Sequence, residues 1–244
     1  MKKSTRVYSI EEIILFENEE IIAINKPSGI SSLAERDATR LSIHEMAVRY
    51  VPTAILCHRL DKFTSGVMLI AKHEAAYRNI TLKFQKREVK KYYLTLIEGQ
   101  HSLKDQLMDY GIYSQNGKVR LDNANGKRAI TIFNTREIFR HYTLLEASPI
   151  TGRMHQIRLH LLAAGMPVVG DKLYNGKDVF LSFFKRNYKF DSMHDERPLN
   201  DGFLLHAAKI ELALPGSETP AILEAPLSPG FNVVVKVLRK WDSG

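Results

Sequence analysis

Cysteine is nearly absent: Cys57 stands alone among 244 residues. A single thiol forms no intramolecular disulfide and builds no cysteine-based zinc cluster, which excludes a zinc-dependent base deaminase with its cysteine pair beside a His-Glu motif. Long apolar runs are missing as well. No stretch approaches the ~20 residues of a membrane span, and the opening MKKSTRVYSIEEIILFENEE has an apolar run too short and too acidic for a secretory signal. Neither G-x-x-x-x-G-K-[ST] nor G-x-G-x-x-G occurs, so there is no glycine-rich phosphate loop. The G-x-S-x-G elbow that would mark Ser65 as a nucleophile is also lacking, and Ser65 reads as a turn serine. His155 and His160 fall ~140° apart on a helix, off any common face, so the i, i+4 spacing of a helical zinc site is not met. His44, His58 and His206 read as core or network histidines. No metal, a reducing cytoplasmic setting and a monomer are expected.

What remains is a globular composition. Hydrophobic residues make up 44%, and no repeat, low-complexity tract or Pro/Gly/Ser linker divides the chain. One catalytic-size domain over residues 1–244 is expected. Lys and Arg number 35 against 27 Asp and Glu, a net charge of +8 that suits a polyanionic partner. Strands are predicted at 13–16 and 21–24, at 54–60 and 66–72 around a DKFTS turn, and at 91–99, 128–139, 142–150 and 204–215. Helices are predicted over 40–51, 74–87, about 152–164 and 231–241, with NKPSG (25–29) as a loop. Strands in runs with irregularly interspersed helices predict an α+β fold around a mixed, largely antiparallel sheet with flanking helices.

Two charged positions do not fit a plain core. In CHRLDKFTSGVMLIAK (57–72), Arg59 and Asp61 sit between two apolar runs. In TGRMHQIRLHLLAAGMPVVG (151–170), Thr151 reads as an N-cap and Gly165 with Pro167 as a stop. Arg158 then has Met154, Leu161 and Leu162 as helical neighbours, where an unpaired charge is costly. Each needs the other, so Asp61 and Arg158 are expected to pair. A structural salt bridge is the plain alternative, but buried pairs stabilise poorly once desolvation is counted, and both members lie beside loops open to a ligand.

HRLDKFTSG (58–66), KKYYLTLIEG (90–99), GKRAIT (126–131), TGRMHQIRLHLLAAGMPVVGDKLY (151–174) and LLHA (204–207) occur in this order. Together with NKPSG they resemble the RluA-type family of RNA pseudouridine synthases over about residues 20 to 230. The resemblance implies the pseudouridine synthase fold and isomerisation of uridine to pseudouridine in structured RNA, ribosomal or transfer, without cofactor or metal. It puts the catalytic aspartate on Asp61, its arginine partner on Arg158 and the active-site tyrosine on Tyr93, with Tyr92 as the competing neighbour. Arg59 matches the arginine that fills the space left by an extruded nucleotide. His58, Thr64, Gly66, Lys91, Arg153, His155 and Gln156 are the matched positions expected to bind substrate. Serines 31 and 32 depart from the family's usual residues after NKPSG. The N-terminal stretch is expected to be too short for an S4 RNA-binding domain, and residues 176–202 look like a variable insertion bearing on substrate choice.

Basic runs complete the expectation of an RNA surface: Lys83, Lys86, Arg87, Lys90 and Lys91; Lys118, Arg120, Lys127 and Arg128; Lys185, Arg186 and Lys189. Two rival readings stay open. One is a catalytically inactive RNA-binding module of the same fold. The other is a metal-free nuclease using His58 with His155 or His160.

Overall fold

The computed structural model describes residues 8–35, 40–115, 117–185, 188, 195–200, 202–214 and 219–243. One mixed sheet carries flanking helices, an α+β architecture as expected. The sheet is built from β1 (Ile14–Glu17), β2 (Ile21–Lys26), β3 (Ile55–Leu56), β4 (Ser65–Ala71), β5 (Lys90–Glu98), β6 (Gln106–Gln115), β7 (Lys118–Leu121), β8 (Lys127–Ile138), β9 (Tyr142–Pro149), β10 (Leu205–Ala213) and β11 (Pro220–Glu224). The order is β1-β2-β4-β10-β5-β9-β8-β6-β7, with β3 beside β4 and β11 beside β10. All pairings are antiparallel but one. At β4 and β10 the strands run parallel for only two residue pairs, Ser65 with His206 and Gly66 with Ala207. This short seam joins two half-sheets.

Each half-sheet is covered on both faces. Helix α1 (Ile43–Tyr50) starts at a Ser42–Glu45 capping box and packs Ile43 and Met46 on Ile22, Ile24, Met68 and Ile70. Helix α2 (Glu74–Gln85) brings Ala76 and Ile80 to the opposite face, against Ala23, Leu69 and Ala71. Strand β4 is therefore buried along its whole length, which explains its unbroken apolar run. In the other half, α3 (Gln156–Ala163) sets Ile157 and Leu161 against Phe133, Leu145 and Ala147. On the reverse face α5 (Pro229–Trp241) lays the stripe Phe231, Val234, Val235 and Leu238 on Leu96 and Leu144. A short α4 (Leu181–Phe184) touches α5. Among the described residues no helix is long and apolar enough to cross a membrane.

Four local expectations need correction. The run 54–60 is not a strand beyond Ile55–Leu56. The Cys57 N–H still donates to the Leu69 carbonyl at 3.0 Å, but beyond it side chains replace the ladder: the Leu69 N–H donates to His58 Nε2 at 3.0 Å, and the Leu60 N–H donates to Ser32 Oγ at 3.1 Å. Strands β6, β7 and β11 add to those expected, because their sequences mix polar and apolar residues on half-exposed surfaces. Helix α3 starts at Gln156 rather than 152, and Thr151 is not its cap. Thr151 is buried instead, donating to Gln156 Oε1 at 2.7 Å and accepting the Ile130 N–H at 2.9 Å. The insertion 176–202 is only partly within the described residues, and Arg186 and Lys189 lie outside them.

Candidate active site

The seam places the site. Gly66, at φ 108°, sits so near β10 that a Cβ there would lie 2.1 Å from the Ala207 carbonyl oxygen, so the close parallel approach requires glycine. Ala207 is in turn the register partner of Tyr93 on β5. Asp61 ends the irregular segment just before β4, in a turn closed by the Thr64 N–H donating to the Asp61 carbonyl at 3.0 Å. The two strands at the seam thus bring the Asp61 turn and Tyr93 to one end of the sheet.

Beneath that turn lies a buried lysine. The Lys26 ammonium, fully inaccessible, donates to the carbonyls of Pro27, Ile30 and Lys62 at 3.0, 2.6 and 3.0 Å. Ser28 Oγ donates to the Phe63 carbonyl at 2.9 Å, and Ser32 Oγ to that of Leu60 at 2.7 Å. Residues 26–32 are thereby stapled to the segment carrying Asp61. Burial pulls the Lys26 pKa down to about 7, opposed by the charge of Asp61.

Arg158 reaches the same place from α3 and pairs with Asp61 as expected, Nη1 to Oδ2 at 2.9 Å. It also grips a second carboxylate: Nε and Nη2 donate to Asp171 at 2.6 and 2.8 Å, a two-pronged contact. The guanidinium carbon stands 4.2 Å from the Phe203 ring centre and 4.8 Å from that of Tyr174. Burial works against its charge, but the bonds and charges of Asp171 and Asp61 outweigh it and raise the pKa. Asp61 therefore meets a permanent, fixed cation. The Asp61 side chain is 26% exposed and that of Asp171 only 2%.

Asp61 opens onto a cleft of about 1220 Å³. A smaller recess of about 120 Å³ has Asp61, Tyr93 and Arg158 among its walls. Burial, reinforced by the Asp61 charge, raises the Tyr93 pKa, so its phenol stays protonated at neutral pH. Tyr92 faces elsewhere, its hydroxyl near Glu211 and its ring under the Lys209 ammonium. Lys91 lines the cleft, donates to the Thr151 carbonyl at 3.1 Å and has its pKa lowered by burial to about 8.

Other expected site residues divide between cleft and scaffold. Arg59, Arg153, His155 and His58 line the cleft, and Thr64 and Gln156 are among the walls of the recess. His155, in the left-handed conformation at φ 55°, turns its ring so that Nε2 lies 3.8 Å from Asp61 Oδ2 and Nδ1 lies 2.8 Å from the Tyr174 hydroxyl. Gln156 spends both ends inside the protein. Its carbonyl accepts from Thr151 and the Arg153 N–H, and its amide donates to Ile130 and Thr131. Thr64 is buried and Gly66 belongs to the seam. His58, pushed to about 3 by burial, spends Nε2 on the Leu69 N–H, and His160 is fully buried, so neither ring is placed as a free acid–base group.

Sequence reasoning missed Asp171, Lys26 and Ser32. A signal existed for Asp171, in the GD of the second motif; for the other two, only their place in a polar loop. Among the basic runs, Arg87 and Lys91 reach the cleft, whereas Arg120 and Arg128 pair with Asp122 and Asp109 at 3.0 and 2.5 Å. No group of three or more His, Cys, Asp or Glu side chains suited to a metal occurs among the described residues.

The architecture of this α+β sheet is shared with a solved structure. The solved structure of human RNA Pseudouridylate Synthase Domain Containing 4 superposes with a TM-score of 0.69, covering 94% of each chain at 24% identity, which shows the pseudouridylate synthase fold. A model of the family described as RNA pseudouridylate synthase matches residues 20–163. Ribosomal large subunit pseudouridine synthase C of Vibrio vulnificus is 33% identical over 97% of this chain and 72% of its own length. Its counterpart in Escherichia coli K12 is 31% identical over 96% and 72%. The chain belongs to the RNA pseudouridylate synthase family and is an RNA pseudouridine synthase, an isomerase acting on RNA.

Proposed function

We propose that the chain isomerises a uridine of large-subunit ribosomal RNA, with Asp61 as the reacting carboxylate and the described chain working as a single catalytic unit. The observation that carries the reading is Asp61 itself, a carboxylate open to a cleft and held by the Arg158 guanidinium at 2.9 Å. The ribosomal substrate rests on the names of the relatives that span nearly the whole chain.

A stacked uridine lies out of reach of a carboxylate at the floor of a cleft, so the nucleotide is everted, at a cost of a few kcal/mol in stacking and pairing. Arg59, exposed on the rim, occupies the vacated space. The uracil enters the recess beside Tyr93, Leu205 and Arg158. As the N1–C1′ bond breaks, positive charge grows on the sugar and Asp61 stabilises or captures it, as carboxylates do in glycoside hydrolysis. Arg158 holds Asp61 in one orientation. The detached uracil turns, C5 bonds to C1′, the C5 proton leaves and N1 gains one, so atoms balance with no co-reactant. Tyr93, a phenol here, passes a proton or packs against the base.

The test is to map pseudouridine in ribosomal RNA from cells lacking the chain. Complementation with the parent is expected to restore a modified position, and complementation with Asp61→Asn to leave it as uridine. Restoration by Asp61→Asn would remove Asp61 from the chemistry.

A further inference from the structure

Two loops meet at the cleft with the same three-residue order. Arg153-Met154-His155 leads into α3, and Lys172-Leu173-Tyr174 follows Asp171. In each, a cation is followed by an exposed aliphatic side chain and then by a ring turned inward. The inward rings are bonded to each other, His155 Nδ1 to the Tyr174 hydroxyl at 2.8 Å, with ring centres 5.6 Å apart. Met154 and Leu173 are each one residue from a member of that bonded pair, and both line the cleft. They are 36% and 66% exposed, in contrast to the buried Tyr174 beside them. Both aliphatic side chains leave apolar surface in the cleft uncovered by the protein.

We propose that Met154 and Leu173 form an apolar lip on which an unpaired base next to the everted uridine stacks, while Arg153 and Lys172 receive the phosphates flanking that base. The occupant is single-stranded RNA. Alternating cation and apolar surface is the pattern that tracks a strand, one for the backbone and one for the faces of its bases. The Arg153 side chain runs along β8, its Nε 3.3 Å from the Arg128 carbonyl. Lys172 is paired with Asp178 at 2.8 Å, yet its side chain is 77% exposed and remains available to a phosphate. The rings behind the lip hold the two loops together, so the platform exists before RNA arrives. Evicting one nucleotide unstacks its neighbours, and the lip gives one of them a new apolar face beside the reacting carboxylate. This inference rests on the RNA reading of the cleft.

The experiment measures release of tritium from in-vitro-transcribed large-subunit ribosomal RNA labelled at uridine C5, since that hydrogen is lost when C5 bonds to C1′. The double variant Met154→Ser, Leu173→Ser is expected to raise KM about tenfold, to leave single-turnover rates at saturating RNA within about twofold of the parent and to keep the parental Tm. Leu173→Phe, which offers a larger face, is expected to hold or lower KM. A double variant with parental KM overturns the lip, and so does a loss confined to kcat. If the double variant melts early, Leu173→Phe decides: a raised KM at parental Tm overturns the lip, and a held or lowered KM supports it. Failure of the parent to release tritium sinks the large-subunit ribosomal RNA reading, a result separate from either outcome for the lip.

Discussion

Two carboxylates share one guanidinium and live in different worlds. Asp171 takes two bonds from Arg158, at 2.6 and 2.8 Å, and its side chain is 2% exposed. Asp61 takes one bond, at 2.9 Å, and its side chain is 26% exposed toward the cleft. A buried arginine with an unfilled fork is costly, and Asp171 fills most of that fork. Arg158 is consequently fixed before Asp61 is considered, and its remaining N–H is aimed at Asp61. One carboxylate anchors; the other is presented. The contrast explains how a charge pair that adds little to stability persists at the bottom of a cleft.

The largest loss of activity falls on the presented group. Asp61→Asn is expected to lower the isomerisation rate a thousandfold or more, in the range of reacting-group removals elsewhere, read by tritium release from C5. Arg158→Lys is expected to cost about a hundredfold in the same assay, because an ammonium cannot grip Asp171 with two prongs and point a third donor at Asp61. Asp171→Asn strikes stability as well as rate. Leaving the buried guanidinium short of a charge is expected to cost about 3 kcal/mol, read as a Tm fall of roughly 10 °C. A Tm unchanged in Asp171→Asn would erase the distinction between anchor and presented group.

Acid is expected to cost stability as well. Burial depresses the pKa of His58 to about 3 and of His160 and His206 to about 4. In the unfolded chain these rings protonate near the ordinary histidine value of about 6.5. Unfolding therefore takes up protons between the two values, and stability is full above about pH 6.5 and is lost as pH falls toward 4. Neither ring nitrogen of His160 is hydrogen-bonded to the protein, so its protonation gains no bond to offset its burial. A Tm lower by roughly 10 °C at pH 5 than at pH 7 is expected, and His160→Gln is expected to change that slope.

The sequence disclosed the pair but not its setting. Asp61 and Arg158 were legible because each put a charge where an apolar surface was expected, and each lacked a local partner. Asp171 had only the GD of the second motif to mark it. It follows Gly170 in a segment without periodicity, and nothing in a linear chain says that its carboxylate turns back to the helix 13 residues earlier. Lys26 was hidden for the opposite reason: it reads as a solvated loop lysine, while its ammonium in fact caps three carbonyls in the interior. The half-sheets followed the same division. Strand β4 and the stripe of α5 announce themselves by apolar pattern. Strands β6 and β7 do not, because they lie at the sheet's outer edge, where one face is wet. Helix α3 starts late because Thr151 and Gln156 satisfy the loop's polar groups through side chains, which no capping pattern encodes.

The sharpest single measurement sets Asp61→Asn beside Asp171→Asn, with single-turnover tritium release and thermal unfolding recorded on the same preparations. Asp61→Asn is expected to lose the reaction while melting within about 2 °C of the parent, and Asp171→Asn to lose both activity and stability. An Asp61→Asn protein that still releases tritium at the parental rate would contradict the central role given to that carboxylate.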